Sequence, residues 1–150
     1  MKVADFVIDF LESHGIREIF EVYGAANGDL IDAFTRTNNC RYIATMHEQA
    51  AGFSAEGYSK IGNVPGVAIA TSGPGAQNLV TPIANCFYDY VATIFITGQV
   101  NSKFLRPDQS LRQRGFQETD VVGIVTPITK YATMVTDAED IRYELGKAYH

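Results

Sequence analysis

Three short stretches of the chain carry residues whose types and spacing can do chemistry. The first is Met46-His47-Glu48-Gln49, where an apolar run containing Ile43 and Ala44 gives way to an Ala-rich helical pattern. A carboxylate in the first turn of a helix can hold or move a proton beside a ligand. It can equally be a surface glutamate favoured by the helix dipole, worth ~0.3–1 kcal/mol. By position alone the second reading leads. His47 beside it could serve as a ligand or base, although a lone histidine at a strand end is more often a hydrogen-bonded structural group. The second stretch is Ser72-Gly73-Pro74-Gly75. Two glycines around a proline at a strand-to-helix turn let backbone approach a ligand closely, or simply make a tight turn. The third is Arg112-Gln113-Arg114-Gly115-Phe116-Gln117-Glu118, which could recognise a carboxylate or phosphate, or be a solvated loop.

Several function classes are disfavoured. The turns match neither G-x-S-x-G nor G-x-x-x-x-G-K-[ST], and Gly24-Ala25-Ala26-Asn27-Gly28 is not a dinucleotide fingerprint. Net charge is −5 with no basic run, so nucleic acid is not an expected partner. Cys40 and Cys86 lack metal or redox spacing and read as reduced, buried thiols. Apolar residues make up 46% and charged residues 19%, as in a domain with a true core. No apolar run approaches the ~20 residues of a membrane span. The amphipathic N-terminus (Val3, Phe6, Val7, Phe10, Leu11) is not a signal peptide, and a cytoplasmic location is expected.

The elements that must position these stretches alternate along the chain. Helical patterns are expected over residues 2–14, ending at Gly15, then after Gly28 with Leu30, Ile31 and Phe34 inward, and over 47–61. Another is expected over 76–89, broken near Asn78 to Pro82, with Leu79, Val80, Ile83, Ala84 and Phe87 inward. Strands are expected over 18–23, 41–45, 66–71 and 92–97, with a further one at 131–135. A short helix near 119–125 and a last helix capped by Thr136-Asp137-Ala138-Glu139 complete the set. The pattern predicts an α/β domain: a mainly parallel sheet with helices on both faces. The turns after the first four strands then share one edge, where ligands bind in such sheets. Residues 99–117 show no clear period, and so long an irregular stretch is often functional. The last helix is still in phase at Leu145 and Tyr149, which reads as a fragment of a longer chain.

The segments Met46 to Gly52, Thr71 to Leu79, Ile96 to Val100 and Gly115 to Asp120 together resemble the acetolactate synthase family of thiamine-diphosphate-dependent enzymes. Their order and spacing fit that family's N-terminal pyrimidine-binding domain over essentially all of the chain. The resemblance implies a role for Glu48: it hydrogen-bonds N1′ of the cofactor's aminopyrimidine and favours the imino form. The ring's N4′ can then take the C2 proton ahead of attack on a small 2-keto acid. It also implies that Tyr23, Gly24, Ala25 and Ala26 lie beside the pyrimidine and reactive carbon. Gly73, Pro74 and Asn78 line the cofactor pocket, Phe116 and Gln117 face substrate, and Lys130 matches a basic position of the active-site region.

The family's G-D-G…N-N anchor for Mg2+ and diphosphate belongs to a separate C-terminal domain. Gly28-Asp29 and Asn38-Asn39 stand too close together to be it, so no metal ligand is expected here. The expected partners are therefore a diphosphate-binding domain of the same or a second subunit, and further copies in a homo-oligomer. The small residues from Ala50 to Gly57 are a candidate contact face. Glu21 stands where the family usually has Gly, Ala25 and Ala26 replace much of its glycine-rich turn, and Tyr90-Val91-Ala92 replaces Ser-Ile-Pro. Two other roles remain open: the small subunit of a two-subunit 2-keto acid decarboxylase of the sulfopyruvate or phosphonopyruvate type, and a non-catalytic binding module.

Overall fold

A computed structural model describes residues 1–108 and 110–150. Its central element, β3 (Gly66–Ala70), is buried along its whole length, and its residues alternate between two different environments. Val67 and Ile69 face a core of larger side chains: Ile19, Ile94, Phe34, and Val7, Ile8 and Leu11 of α1 (Val3–Ser13). Ala68 and Ala70 face a second core with Ala51 and Ala55 of α3 (Glu48–Ile61), Leu79, Ile83 and Val125. Cβ atoms alternate across a strand, so two apolar faces require cover on both sides.

The strands order as β2-β1-β3-β4, all parallel, with β1 at Glu18–Glu21, β2 at Arg41–Ala44 and β4 at Thr93–Thr97. Glu21 registers with Ala44 on one side and Ile69 on the other, and Ala70 with Thr97. The α/β reading, the four strands and their shared edge are all borne out. From β1 the chain turns outward through α2 (Gly28–Ala33) to β2, whereas from β3 it turns the opposite way to β4. The crevice between the ends of β1 and β3 is therefore the switch point, where an open parallel sheet receives its ligand.

The predicted break in the fourth helical stretch is present. Two helices, α4 (Pro74–Asn78) and α5 (Val80–Tyr88), meet at the fully buried Leu79. Pro82 thereby falls in the first turn of α5, where its missing N–H costs nothing because that donor has no intrahelical acceptor. Cys86 points inward and Phe87 is exposed, contrary to the expected stripe. In α1 the buried stripe is Ala4, Val7, Ile8 and Leu11, with Val3 outside. Gly15 follows that helix at φ +83°, the left-handed conformation that a C′ glycine supplies. Both cysteines are free and buried, and burial pushes the Cys40 thiol up to about 11.

Residues 131–135 do not form the expected strand. They pair with no neighbour, and the segment is held through side chains instead. The Tyr131 hydroxyl bonds the Glu144 carboxylate, and the Lys147 ammonium lies 4.3 Å from the centre of the Tyr131 ring. An apolar run becomes a strand only where a partner edge accepts its backbone bonds, and here none does. Asp137, not Thr136, caps the last helical segment by accepting from the Glu139 N–H at 3.0 Å. That segment continues into α7 (Ile141–Tyr149). Earlier in the chain, the short helix α6 (Val121–Val125) lies close to the predicted position. Among the described residues no helix is long and apolar enough to cross a membrane.

Candidate cofactor site at the carboxyl edge

Glu48 opens α3, and the geometry of that helix follows from small residues. A Cβ at Gly66 of β3 would overlap the Ala55 carbonyl, and one at Gly52 would overlap the Pro82 ring. Helix, strand and α5 can therefore approach closely only because these positions carry no side chain. Polar contacts fix the register along the helix. Asn85 donates to both oxygens of the buried Glu56 carboxylate at 2.9 Å, Lys60 bonds Glu56 at 2.5 Å, and Gln49 donates to Thr81 at 3.3 Å. The Lys60 and Asn85 bonds hold the Glu56 carboxyl below its ordinary value. His47 is the N-cap: its Nδ1 accepts from the Gln49 N–H at 3.1 Å. It is thus the structural histidine its position suggested. The buried small residues Ala51, Gly52 and Ala55 serve this internal packing; of the candidate contact face, only Ala50, Phe53 and Gly57 lie outward.

Around Glu48 three loops converge. Its Oε2 accepts a bond from Asn78 Nδ2 at 2.9 Å. Its Oε1 faces Gly75, where an added Cβ would lie 3.3 Å away. That same Cβ would meet Thr71 at 2.7 Å, and one on Gly24 would overlap the Thr71 side chain from the other side. Thr71 Oγ1 also accepts from the Ala26 N–H at 3.2 Å, so this single residue joins the loop after β1 to the loop after β3 across the switch point. The loop after β1 is shaped from within by Asn27, only 1% exposed. Its Oδ1 accepts from the Gly24 N–H at 2.7 Å and its Nδ2 donates to the Val22 carbonyl at 3.0 Å. Gly98, after β4, allows close approach to Ala26.

The long polar stretch folds back on itself and delivers Gln117 to the same place. The Glu118 carboxylate accepts the backbone N–H groups of Arg106, Arg114 and Gly115 at 2.7, 2.9 and 3.1 Å, and these bonds hold it below its ordinary value. Gln99 donates to the Thr119 carbonyl at 2.8 Å. Gln117 adopts φ +55° against Gly73 at φ +57°, and a Cβ on Gly73 would lie 2.6 Å from the Gln117 carbonyl oxygen. A non-glycine residue in that left-handed region is uncommon, and such strain gathers at functional sites.

The structure therefore joins Gly24, Ala26, Glu48, Gly73, Asn78 and Gln117 through named contacts. Ala25, Pro74 and Phe116 stand on the same loops, with Phe116 80% exposed. Tyr23, also exposed, lays its ring beside Gly28. Lys130 is not joined to this cluster; its Nζ donates to the carbonyl of His150 at 2.6 Å. The Arg112 side chain is exposed, and Arg114 bonds the Leu105 carbonyl at 3.4 Å. Thr71, Asn27 and Gly98 are the members that motif reading passed over. The Asn27-Gly28 pair and a threonine at a strand end were the available signals. Glu21 is a further surprise. It is 1% exposed, its Oε2 has no hydrogen-bond partner, and burial raises its pKa above the ordinary value.

An all-parallel sheet with a half-buried carboxylate and closely packed glycine-bearing loops at its switch point defines an α/β domain of the kind that binds ligands at the carboxyl edge of its strands. Residues 1–124 match the family described as thiamine pyrophosphate enzyme, N-terminal TPP binding domain, and the chain belongs to that family. It is similar to the acetolactate synthase large subunit of Corynebacterium glutamicum, 41% identical over 150 residues that cover 100% of this chain and 23% of the relative. The chloroplastic acetolactate synthase of Arabidopsis thaliana is 38% identical over 148 residues, covering 99% and 21%. The acetolactate synthase of Mycobacterium bovis is 40% identical over 147 residues, covering 98% and 23%. The chain thus spans less than a quarter of the length of these relatives.

Proposed function

We propose that residues 1–150 are the pyrimidine-binding part of a thiamine-diphosphate enzyme that decarboxylates a small 2-keto acid and joins the remainder to an acceptor, as the names of its relatives suggest. The observation that carries this reading is the Glu48 carboxylate, half-buried in the first turn of α3 among three glycine-bearing loops. The residues present fit the group: one oxygen of the Glu48 carboxylate is taken by Asn78 while the other faces the Gly75 backbone, and Gly24, Gly73 and Gly75 let the surrounding loops pack closely about it. Bound there, thiamine diphosphate supplies an acidic ring carbon and an electron sink. Glu48 holds or moves the proton at the pyrimidine N1′. Thr71, Ala26 and Gly98 fix the wall beside the ring, while Gln117 and Phe116 meet substrate from the opposite loop.

The site is completed by a diphosphate-binding domain, of the same or a second subunit, which brings the Mg2+. Two observations support this. The relatives are more than four times as long as the chain. Tyr23, Met46 and Phe116 also stand exposed along the carboxyl edge, a rim of large apolar groups that a covering partner would bury.

Glu48→Gln in the full-length protein tests the assignment. It keeps the size of the side chain and removes the charge that drives the tautomer. C2–H exchange of bound cofactor should fall by roughly 100- to 10,000-fold, the range for loss of a positioned acid–base group. Thermal unfolding should change by no more than ~1 kcal/mol. Exchange at the parental rate with cofactor bound would remove Glu48 from the mechanism.

A further inference from the structure

The two oxygens of the Glu48 carboxylate are not equivalent. Oε2 receives the Asn78 amide at 2.9 Å, and Oε1 faces the Gly75 backbone, 3.3 Å from where a Cβ on that residue would stand. The amide is delivered by a fixed element. Asn78 is the last residue of α4, directly before the fully buried Leu79, and one turn after the buried Gly75 and Ala76. Gln77 ties the same helix to Thr119 at 3.3 Å. An amide NH2 can only donate, so it favours negative charge on the oxygen it meets and opposes a proton there. Its carbonyl end would instead face a negative oxygen, which sets the orientation of the side chain.

Building on the cofactor reading above, we propose that Asn78 is a positioning residue rather than a ligand of the cofactor: it occupies Oε2 of Glu48 and confines proton exchange to Oε1. The proton that Glu48 takes or returns is then always carried on Oε1, the oxygen nearer Gly75. The break at Leu79 acquires a role in this. It ends α4 at the residue whose side chain reaches across to Glu48 at the start of α3.

The first arm of the test uses the cofactor-free, full-length protein labelled with [15N]asparagine. The Asn78 side-chain amide resonances should shift with pH as the carboxylate titrates, and the shift should vanish in Glu48→Gln. Resonances that do not respond to pH, or that respond equally in Glu48→Gln, would overturn the proposal. The second arm adds thiamine diphosphate and Mg2+ to Asn78→Leu and Asn78→Asp. Asn78→Leu should slow C2–H exchange roughly 10- to 100-fold, the loss expected for one hydrogen bond to a charged group, with little change in cofactor KM. Asn78→Asp has the same shape but sets a second carboxylate beside the first, so the acid limb of the exchange–pH profile should move to higher pH. Parental profiles in both variants would sink the positioning role. Failure of any form to bind the cofactor would count against the functional reading, while the amide resonances would still report on the Asn78–Glu48 pair.

Discussion

The two faces of the sheet are built from different materials. On the α1 side, Val7, Ile8, Leu11, Ile19, Val67 and Ile69 interlock as large aliphatic side chains. On the α3 side, Ala51, Ala55, Ala68 and Ala70 meet with almost no side chain between helix and strand, and Gly52 and Gly66 remove even the Cβ. Large side chains bury more area and contribute more hydrophobic free energy, roughly 25 cal/mol per Å2. Small ones contribute less but leave the backbones no freedom to slide, because close-packed groups have no soft direction. Glu48 hangs from the second face. The comparison teaches that stability and placement of the site are drawn from opposite sides of one strand, β3.

Three substitutions would break or sharpen that division. The largest effect on stability should come from Leu11→Ala, which empties part of the aliphatic core. A loss of about 2–5 kcal/mol is expected in denaturant unfolding, with C2–H exchange of the folded, cofactor-bound protein unchanged. An equal loss of exchange rate would mean that the aliphatic face also sets the site.

Gly52→Ala should do the reverse in kind. The new Cβ overlaps Pro82, which outweighs the helix-propensity gain of ~1 kcal/mol. A net loss of ~1–3 kcal/mol is expected, together with a drop in exchange rate because α3 must move. A variant that is destabilised yet exchanges at the parental rate would refute the placement argument.

Glu21→Met should give the smallest change, and it should be stabilising. The carboxyl of Glu21 is buried without a full set of partners, and replacing such a group with an apolar one of similar shape is near-neutral to stabilising, here by about 1 kcal/mol. The pH dependence has a definite sign. Burial raises the folded pKa above the unfolded value of 4.5. The parental protein therefore loses stability from this residue as pH rises from below 4.5 through the folded value. Unfolding of parent and variant compared at about pH 4 and about pH 8 should show the variant's advantage growing with pH. A constant difference would show that Glu21 titrates as it does in the unfolded chain.

Much of this was legible in the residues themselves. The four strands follow from apolar runs ended by turn residues, and Pro82 announced the break that Leu79 provides. Glu48, Gly73, Asn78 and Gln117 were singled out by the resemblance to the family, and the structure brings them together. What escaped has a common physical cause. Whether residues 131–135 form a strand depends on a neighbour's free edge, which a one-dimensional pattern does not contain. Cys86 and Phe87 exchange places because the buried face of α5 runs through Pro82, Ile83 and Cys86, a choice between adjacent stripes that packing decides. Lys130 was carried over from the resemblance, and in this structure its ammonium group meets the carbonyl of His150. Glu21 was visible as an unusual residue at its position, but its burial arises from β1 being flanked by β2 and β3.

The joint made by Thr71 bears on how such a domain can change over time. Gly24, Thr71, Ala26 and Gly98 interlock: a Cβ on Gly24 would overlap Thr71, one on Gly98 would overlap Ala26, and the Ala26 N–H bonds Thr71. Tyr23, Ala25 and Phe116 sit on the same loops with their side chains in the open. Mutational drift is thus channelled. The outer positions can explore new chemistries one step at a time, whereas the inner four must vary in concert or stay as they are. A laboratory library aimed at new substrate preference should accordingly randomise Tyr23, Ala25 and Phe116 and leave the interlocked positions alone.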